Sequence, residues 1–143
     1  MVEVRLAEGE AERRTCLRLR WTVFVEEQNV RPSLEVDEHD SAAAVHALAL
    51  LHGVPAGTGR FVFVEPGTAR IGRMAVIDAA RGKGLGTALL RFLEAEARKR
   101  GARRFTLNAQ VPARRFYERA GYRATGPVFD DADIPHVRMD RTA

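Results

Sequence analysis

Residues 71–87 read Ile-Gly-Arg-Met-Ala-Val-Ile-Asp-Ala-Ala-Arg-Gly-Lys-Gly-Leu-Gly-Thr. An apolar run leads into a glycine-rich turn, and an amphipathic helical pattern follows. The start of a helix exposes backbone N–H groups without intrahelical partners, together with the positive end of the macrodipole. Gly82, Gly84 and Gly86 carry no side chains there, so phosphate oxygens can approach those amides closely. Arg81 and Lys83 add positive charge at the same place. The chemistry this spacing can do is to hold a diphosphate. Two other phosphate patterns fit poorly. A Walker loop needs Ser or Thr after Gly-Lys, whereas Gly82-Lys83 is followed by Gly84. The dinucleotide fingerprint needs its third glycine three positions after the second, and here the spacing is even. A tight strand-to-helix turn with no ligand would give the same glycines, so the loop alone leaves both readings open.

The elements that must position this loop can be read from periodicity. Residues 2–6 alternate as a short strand, and a helix is predicted over about residues 10–27 from Leu17, Trp21 and Phe24, with Cys16 and Val23 beside them. Residues 28–43 read as an irregular acidic segment containing Pro32. Strands follow at 45–51, 59–64 and 69–77, separated by turns at 53–57 and 65–67, and the short turns imply antiparallel pairing. A helix over about 84–100 buries Leu85, Ala88, Leu89, Phe92, Leu93 and Ala97, with Gly101 as its C-terminal glycine. Then come a strand at 104–109, a short helix opened by Pro112 and closed by Gly121, and strands at 122–128 and 136–140. The implied architecture is a mixed sheet covered by helices, of α/β or α+β type.

The 143 residues favour a single domain spanning 1–143, and 45% apolar with 29% charged residues is ordinary for a globular chain. No apolar run is long enough to cross a bilayer, and the N-terminus lacks an apolar signal core. With one cysteine, Cys16, no intramolecular disulfide can form; together these features suit a cytoplasmic protein. Charge is unevenly placed. Residues 81–123 hold 12 Lys/Arg against 3 Asp/Glu, while the rest holds 11 against 16. The basic part should attract anions, either nucleic acid or a polyphosphorylated cofactor. The basic run at Arg98, Lys99, Arg100, Arg103 and Arg104 has no interleaved aromatics, which argues against a nucleic-acid stacking platform. It is the solvated end of a helix or a contact for a nucleotide's 3′-phosphate.

Arg81-x-x-Gly84-x-Gly86 resembles the pyrophosphate-binding signature of the GNAT N-acetyltransferase superfamily. Arg73-Met74-Ala75-Val76 resembles that family's acetyl-CoA-binding strand. Gln110-x-x-Ala113-x-x-Phe116-Tyr117-Glu118-x-x-Gly121-Tyr122 is similar to its later signature, with Gln110 where Asn is usual. Arg20-x-x-Val23-Phe24-Val25-x-Glu27-Gln28, Glu35-x-Asp37-x-x-Asp40 and Ile134-Pro135-His136-x-x-Met139 resemble the ElaA/YjcF-like bacterial subgroup. The resemblance covers nearly the whole chain. It implies a GNAT-type, mostly antiparallel sheet of six to seven strands, splayed where acetyl-CoA enters.

The resemblance also implies a reaction. A neutral amine attacks the thioester of acetyl-CoA directly, with no metal. Backbone amides around Met74, Ala75 and Val76 would bind the acetyl and pantetheine groups. Arg81, Gly82, Lys83, Gly84, Leu85, Gly86 and Thr87 would hold the diphosphate, with Gln110 and Phe116 also at the cofactor. Tyr117 would be the general acid that protonates the departing sulfur, although on its own a Phe-Tyr pair on a short helix could simply pack. The base is open among Glu26, Glu27, Asp37, Glu38, His39 and a water chain, with Glu27 preferred on the subgroup motif. His136 would line the acceptor pocket or orient a carboxylate. His39, His46, His52 and His136 show no metal spacing. The acidic stretch 26–40 favours a cationic acceptor. A non-catalytic acyl-CoA-binding module on the same fold is the alternative, and a homodimer through sheet edges stays open.

Overall fold

The computed structural model describes residues 1–31 and 44–143. Its elements are β1 (Val2–Leu6), α1 (Gly9–Arg20), β2 (Val45–Leu51), β3 (Val54–Glu65), β4 (Thr68–Val76), α2 (Leu85–Lys99), β5 (Arg104–Gln110), α3 (Arg114–Arg119), β6 (Arg123–Asp131) and β7 (Ile134–Thr142). The strands form one sheet in the order β1-β2-β3-β4-β5-β7-β6. All neighbours are antiparallel except β4 and β5, which the crossover helix α2 makes parallel. This is the mixed sheet that the element order implied, mostly antiparallel as the resemblance implied.

The predicted helix over 10–27 is divided. After Arg20 it widens into π-helical turns over Trp21–Glu27, closed by Gln28 N–H bonding to Val23 C=O. The buried face also differs from the predicted one. Cys16, Leu19, Arg20 and Val23 point inward, at ordinary helical spacing, while Trp21 is exposed. The acidic positions Glu35, Asp37, Glu38 and Asp40, and His39 among them, lie outside the described residues. The turn predicted at 53–57 is tighter than expected. His52 and Gly53 both take positive φ (51° and 79°), the two-residue hairpin geometry whose twist matches that of the flanking strands. β3 therefore starts at Val54, and Pro55 is accommodated where the β2–β3 register shifts.

Helix α2 packs on the sheet through Leu85, Leu89, Leu90, Leu93 and Ala97, all essentially inaccessible to solvent. Its end is a Schellman cap: Ala102 N–H reaches Ala97 C=O and Gly101 N–H reaches Arg98 C=O, with Gly101 at φ 101°. One residue of the buried face is not apolar. Glu94 is fully buried. Tyr122 Oη donates to it at 2.7 Å, Arg91 Nη1 at 3.0 Å, and Arg141 Nη1 lies 2.9 Å away as an ion pair. A buried carboxylate is tolerable only when so satisfied. The cluster ties α2 to β7 and to the residue just before β6.

Removing this network should be expensive. Tyr122→Phe deletes a hydrogen bond to a charge and should cost about 2 kcal/mol, while Glu94→Ala should cost about 3 kcal/mol. Burial and Glu94 both raise the Tyr122 phenol above its ordinary value. A raised phenol contributes stability below the unfolded value of about 10 and loses it as pH climbs past that value. Denaturant midpoints should therefore show the gap between wild type and Tyr122→Phe narrowing between about pH 8 and about pH 11.

Candidate active site

Strands β4 and β5 pair over three rungs only, Thr68–Arg70 against Arg104–Thr106. Beyond Arg70 they separate, so β4 backbone groups that would have met β5 border a cleft instead. On its other side β4 bulges. Thr58 pairs with Ala75 and Arg60 with Gly72, which leaves Arg73 and Met74 opposite the single residue Gly59. Arg73 holds φ 50°, uncommon for a residue with a side chain. Gly59 is required beneath the bulge, because a Cβ there would stand 2.6 Å from Met74 Sδ and 2.8 Å from Leu93 Cδ1. The cleft opens into a cavity of about 700 Å³. That is ample for a cofactor arm and a small acceptor.

The glycine-rich loop forms one wall. A single 3-10 turn (Asp78–Ala80) precedes it, and Gly82 and Gly84 both adopt positive φ (76° and 84°) before α2 begins at Leu85. Among the described residues, no side chain caps the start of α2. The amides of its first turn have no partners four residues back, so they remain available to an anion. A Cβ at either Gly82 or Gly84 would meet nothing within 4 Å. These glycines are needed for their backbone conformation rather than for room inside the protein. Gly86 instead faces Phe116, whose ring would lie 3.4 Å from a Cβ there, and this contact seats α3 against the loop.

Arg81 is engaged with protein groups. Its Nη1 and Nη2 donate to the two carboxylate oxygens of Glu27, both at 2.6 Å, and Nε donates to Val76 C=O at 3.0 Å. Hydrogen bonding from Arg81 lowers the Glu27 carboxyl below its usual range, and the same contact raises Arg81. Next to Glu27, Gln28 exchanges amide hydrogen bonds with Gln110 (2.9 and 3.5 Å). Two consecutive residues after α1 thus tie to both sides of the splay, Glu27 to the loop after β4 and Gln28 to the end of β5.

Tyr117 reaches the cavity from α3. It is half-buried, edge-on to Phe116 (5.0 Å between centroids) and to Tyr122 (5.9 Å). Removal from water pushes its phenol up to about 12. The group stays protonated at neutral pH and can donate, while among the described residues its hydroxyl has no hydrogen-bond partner.

The cavity brings together Met74, Ala75, Val76, Arg81, Gly82, Gly84, Leu85, Gly86, Thr87, Gln110, Phe116, Tyr117 and Glu27. Lys83 is exposed on the loop and does not line it. His136 does line it, as do Gln28, Asn108 and Asp131. Asn108 was legible in principle, since strand alternation puts it on the same face as Gln110. The basic run at Arg98–Arg104 lies at the opposite end of α2. A 15-residue helix spans about 22 Å, so that run does not share the loop's site. There Arg98 sits 5.1 Å over the Phe105 ring and Arg100 lies 6.0 Å from that of Phe61.

Residues 6–122 match the model of the acetyltransferase (GNAT) family. The chain is 35% identical over 135 residues to the uncharacterized N-acetyltransferase YjcF of Bacillus subtilis (strain 168), covering 94% of this chain and 95% of that protein. Its fold is similar to that of an acyl-CoA N-acyltransferase from Pseudomonas aeruginosa (TM-score 0.82, 33% identity, 99% of both chains). It is similar also to that of Escherichia coli ElaA (TM-score 0.85, 27% identity, 99% of both chains). The splayed β4–β5 pair, the uncapped helix start and these likenesses agree, and the chain belongs to the GNAT family of acetyltransferases, as an acyltransferase of the ElaA/YjcF-like kind.

Proposed function

We propose that this acyltransferase carries the acetyl group of acetyl-CoA to a primary amine by direct attack. One observation supports this above others. The uncapped amides of α2, the β4 bulge and a protonated phenol border one cavity. Acetyl-CoA supplies an activated thioester. The residues of the chain do the rest.

The first-turn amides of α2, with the loop glycines in left-handed conformation, hold a diphosphate. Backbone N–H groups of β4 near Met74, Ala75 and Val76 orient the acetyl group and stabilise the charge that develops on its oxygen. A donor so placed contributes about 3 kcal/mol. Tyr117 donates its proton to the leaving sulfur, and a phenol held protonated at neutral pH is in the correct state to do so. Phe116, packed on Gly86, keeps Tyr117 in register with the diphosphate site. The cavity's mixture of Glu27, Asp131 and several arginines does not narrow the acceptor beyond a primary amine.

Coenzyme A should raise the melting temperature in proportion to the logarithm of its concentration, since it binds the folded state. Gly84→Val forces a branched side chain into left-handed backbone at a cost of about 1–2 kcal/mol. CoA affinity should drop by about tenfold or more, read from the melting shift. An unchanged shift in a folded variant would remove the loop from the site. Tyr117→Phe should lower kcat by about 10²-fold while keeping the CoA-induced shift. Release of free thiol with a set of primary amines reads the activity. If the wild-type protein binds CoA but acetylates none of them, a non-catalytic acyl-CoA-binding role is the better description.

A further inference from the structure

An attacking alkyl ammonium must lose a proton before its nitrogen can act, and Glu27 is poorly placed to take it. Both of its oxygens accept from Arg81, and that contact lowers its basicity. Asp131, also at the cavity, is exposed to water. The arginines that line it are permanently protonated and accept nothing.

His136 differs from all of these. It lines the cavity yet is only 8% exposed. Its Nδ1 lies 2.6 Å from the C=O of Ile134. A carbonyl oxygen can only accept, so Nδ1 carries the hydrogen, and in the neutral ring Nε2 bears the lone pair. Among the described residues Nε2 has no hydrogen-bond partner. The ring is also held sideways. In the sheet His136 stands opposite Gln110 of β5 and Phe129 of β6. The Phe129 ring stacks on it at 6.1 Å and 27°. Gln110 is itself fixed by Gln28. The result is an oriented imidazole with one bound nitrogen and one free, beside the end of β5.

We propose that His136 Nε2 is the general base that deprotonates the acceptor, a role that rests on the acetyl-transfer reading above. Nε2 takes one proton from the ammonium group. The freed nitrogen lone pair forms a bond to the acetyl carbon as the carbon–sulfur bond breaks. The nitrogen's surplus proton then leaves, and the sulfur, departing with the bonding electron pair, receives one proton from Tyr117. The phenol regains a proton from that released by the nitrogen, and the imidazolium returns its own to water. The products are the amide, free thiol and one proton, which balances an ammonium and a thioester.

The test begins with wild-type protein, acetyl-CoA and a set of probes: cadaverine, 2-phenylethylamine, lysine, glucosamine and glycinamide. If no probe releases thiol, the acetyl-transfer reading itself fails. Where wild type turns over, His136→Gln and His136→Asn should lower kcat by about 10²-fold with the KM for acetyl-CoA within about twofold. Glucosamine and glycinamide, the least basic of these amines, should lose less than cadaverine, and added imidazole should restore part of the rate. Wild-type kcat in both variants, or equal losses for every amine without imidazole rescue, would overturn the base assignment and leave acetyl transfer standing. A readout that needs no variant is the long-range ¹⁵N–¹H spectrum of the wild-type imidazoles. His136 should be the Nδ1–H tautomer, and an Nε2–H tautomer would overturn the proposal even if both variants failed to fold.

Discussion

The structure depends on the early end of β4–β5 pairing. A sheet gains from every rung, and backbone groups left without partners are costly unless water or a ligand meets them. Here the ladder stops after three rungs, and the lost pairing is what makes the cavity. The separation needs support from outside the two strands. The β4 bulge turns the strand, Gly59 leaves space for Met74 beneath it, and α2 packs over β3. Glu27 and Gln28 then bridge to Arg81 and Gln110. The widened turns after α1 matter because they deliver two neighbouring side chains to opposite sides of one opening. Such π-helical distortions concentrate at functional sites for this kind of reason.

Much of the fold was legible because local rules governed it. Element order followed from periodicity and turn residues, and Gly101 and Gly121 ended their helices as predicted. What was not legible depended on distant partners. Nothing in the local pattern marks Glu94 as buried, since its acceptability comes from Tyr122 and Arg141 far along the chain. Spacing predicts Trp21 inward, yet the face one residue away is the buried one. The left-handed Arg73 has no signal of its own, because a bulge exists only relative to the strand opposite. The Gln28–Gln110 contact joins positions 82 residues apart, and neither amide announces it.

The uneven charge along the chain also takes on spatial meaning. The basic stretch 81–123 becomes two separate regions once α2 divides it by its own length. At one end, backbone amides rather than side-chain cations are the free donors at the cavity, since Arg81 is already committed to Glu27 and Lys83 does not line it. The Glu27–Arg81 pair is also about two-fifths exposed on each side, so solvent screens it and it adds little to stability. Its consequence is geometric: it fixes the loop against the widened turns that follow α1.

Acid and base functions can share one small cavity only if their surroundings drive them apart. In the proposed reaction Tyr117 meets one half by desolvation. Its phenol sits against Phe116 and Tyr122, and removal from water keeps its proton in place. His136 achieves the other half by orientation. A backbone carbonyl holds the ring's hydrogen at Nδ1, which leaves the free nitrogen a lone pair and gives the neutral ring one direction in which to accept. The two groups come from different parts of the fold, α3 and β7, and both line the same cavity. A donor and an acceptor so arranged give the cavity a polarity. That polarity matches a reaction in which one partner must lose a proton and the other must gain one.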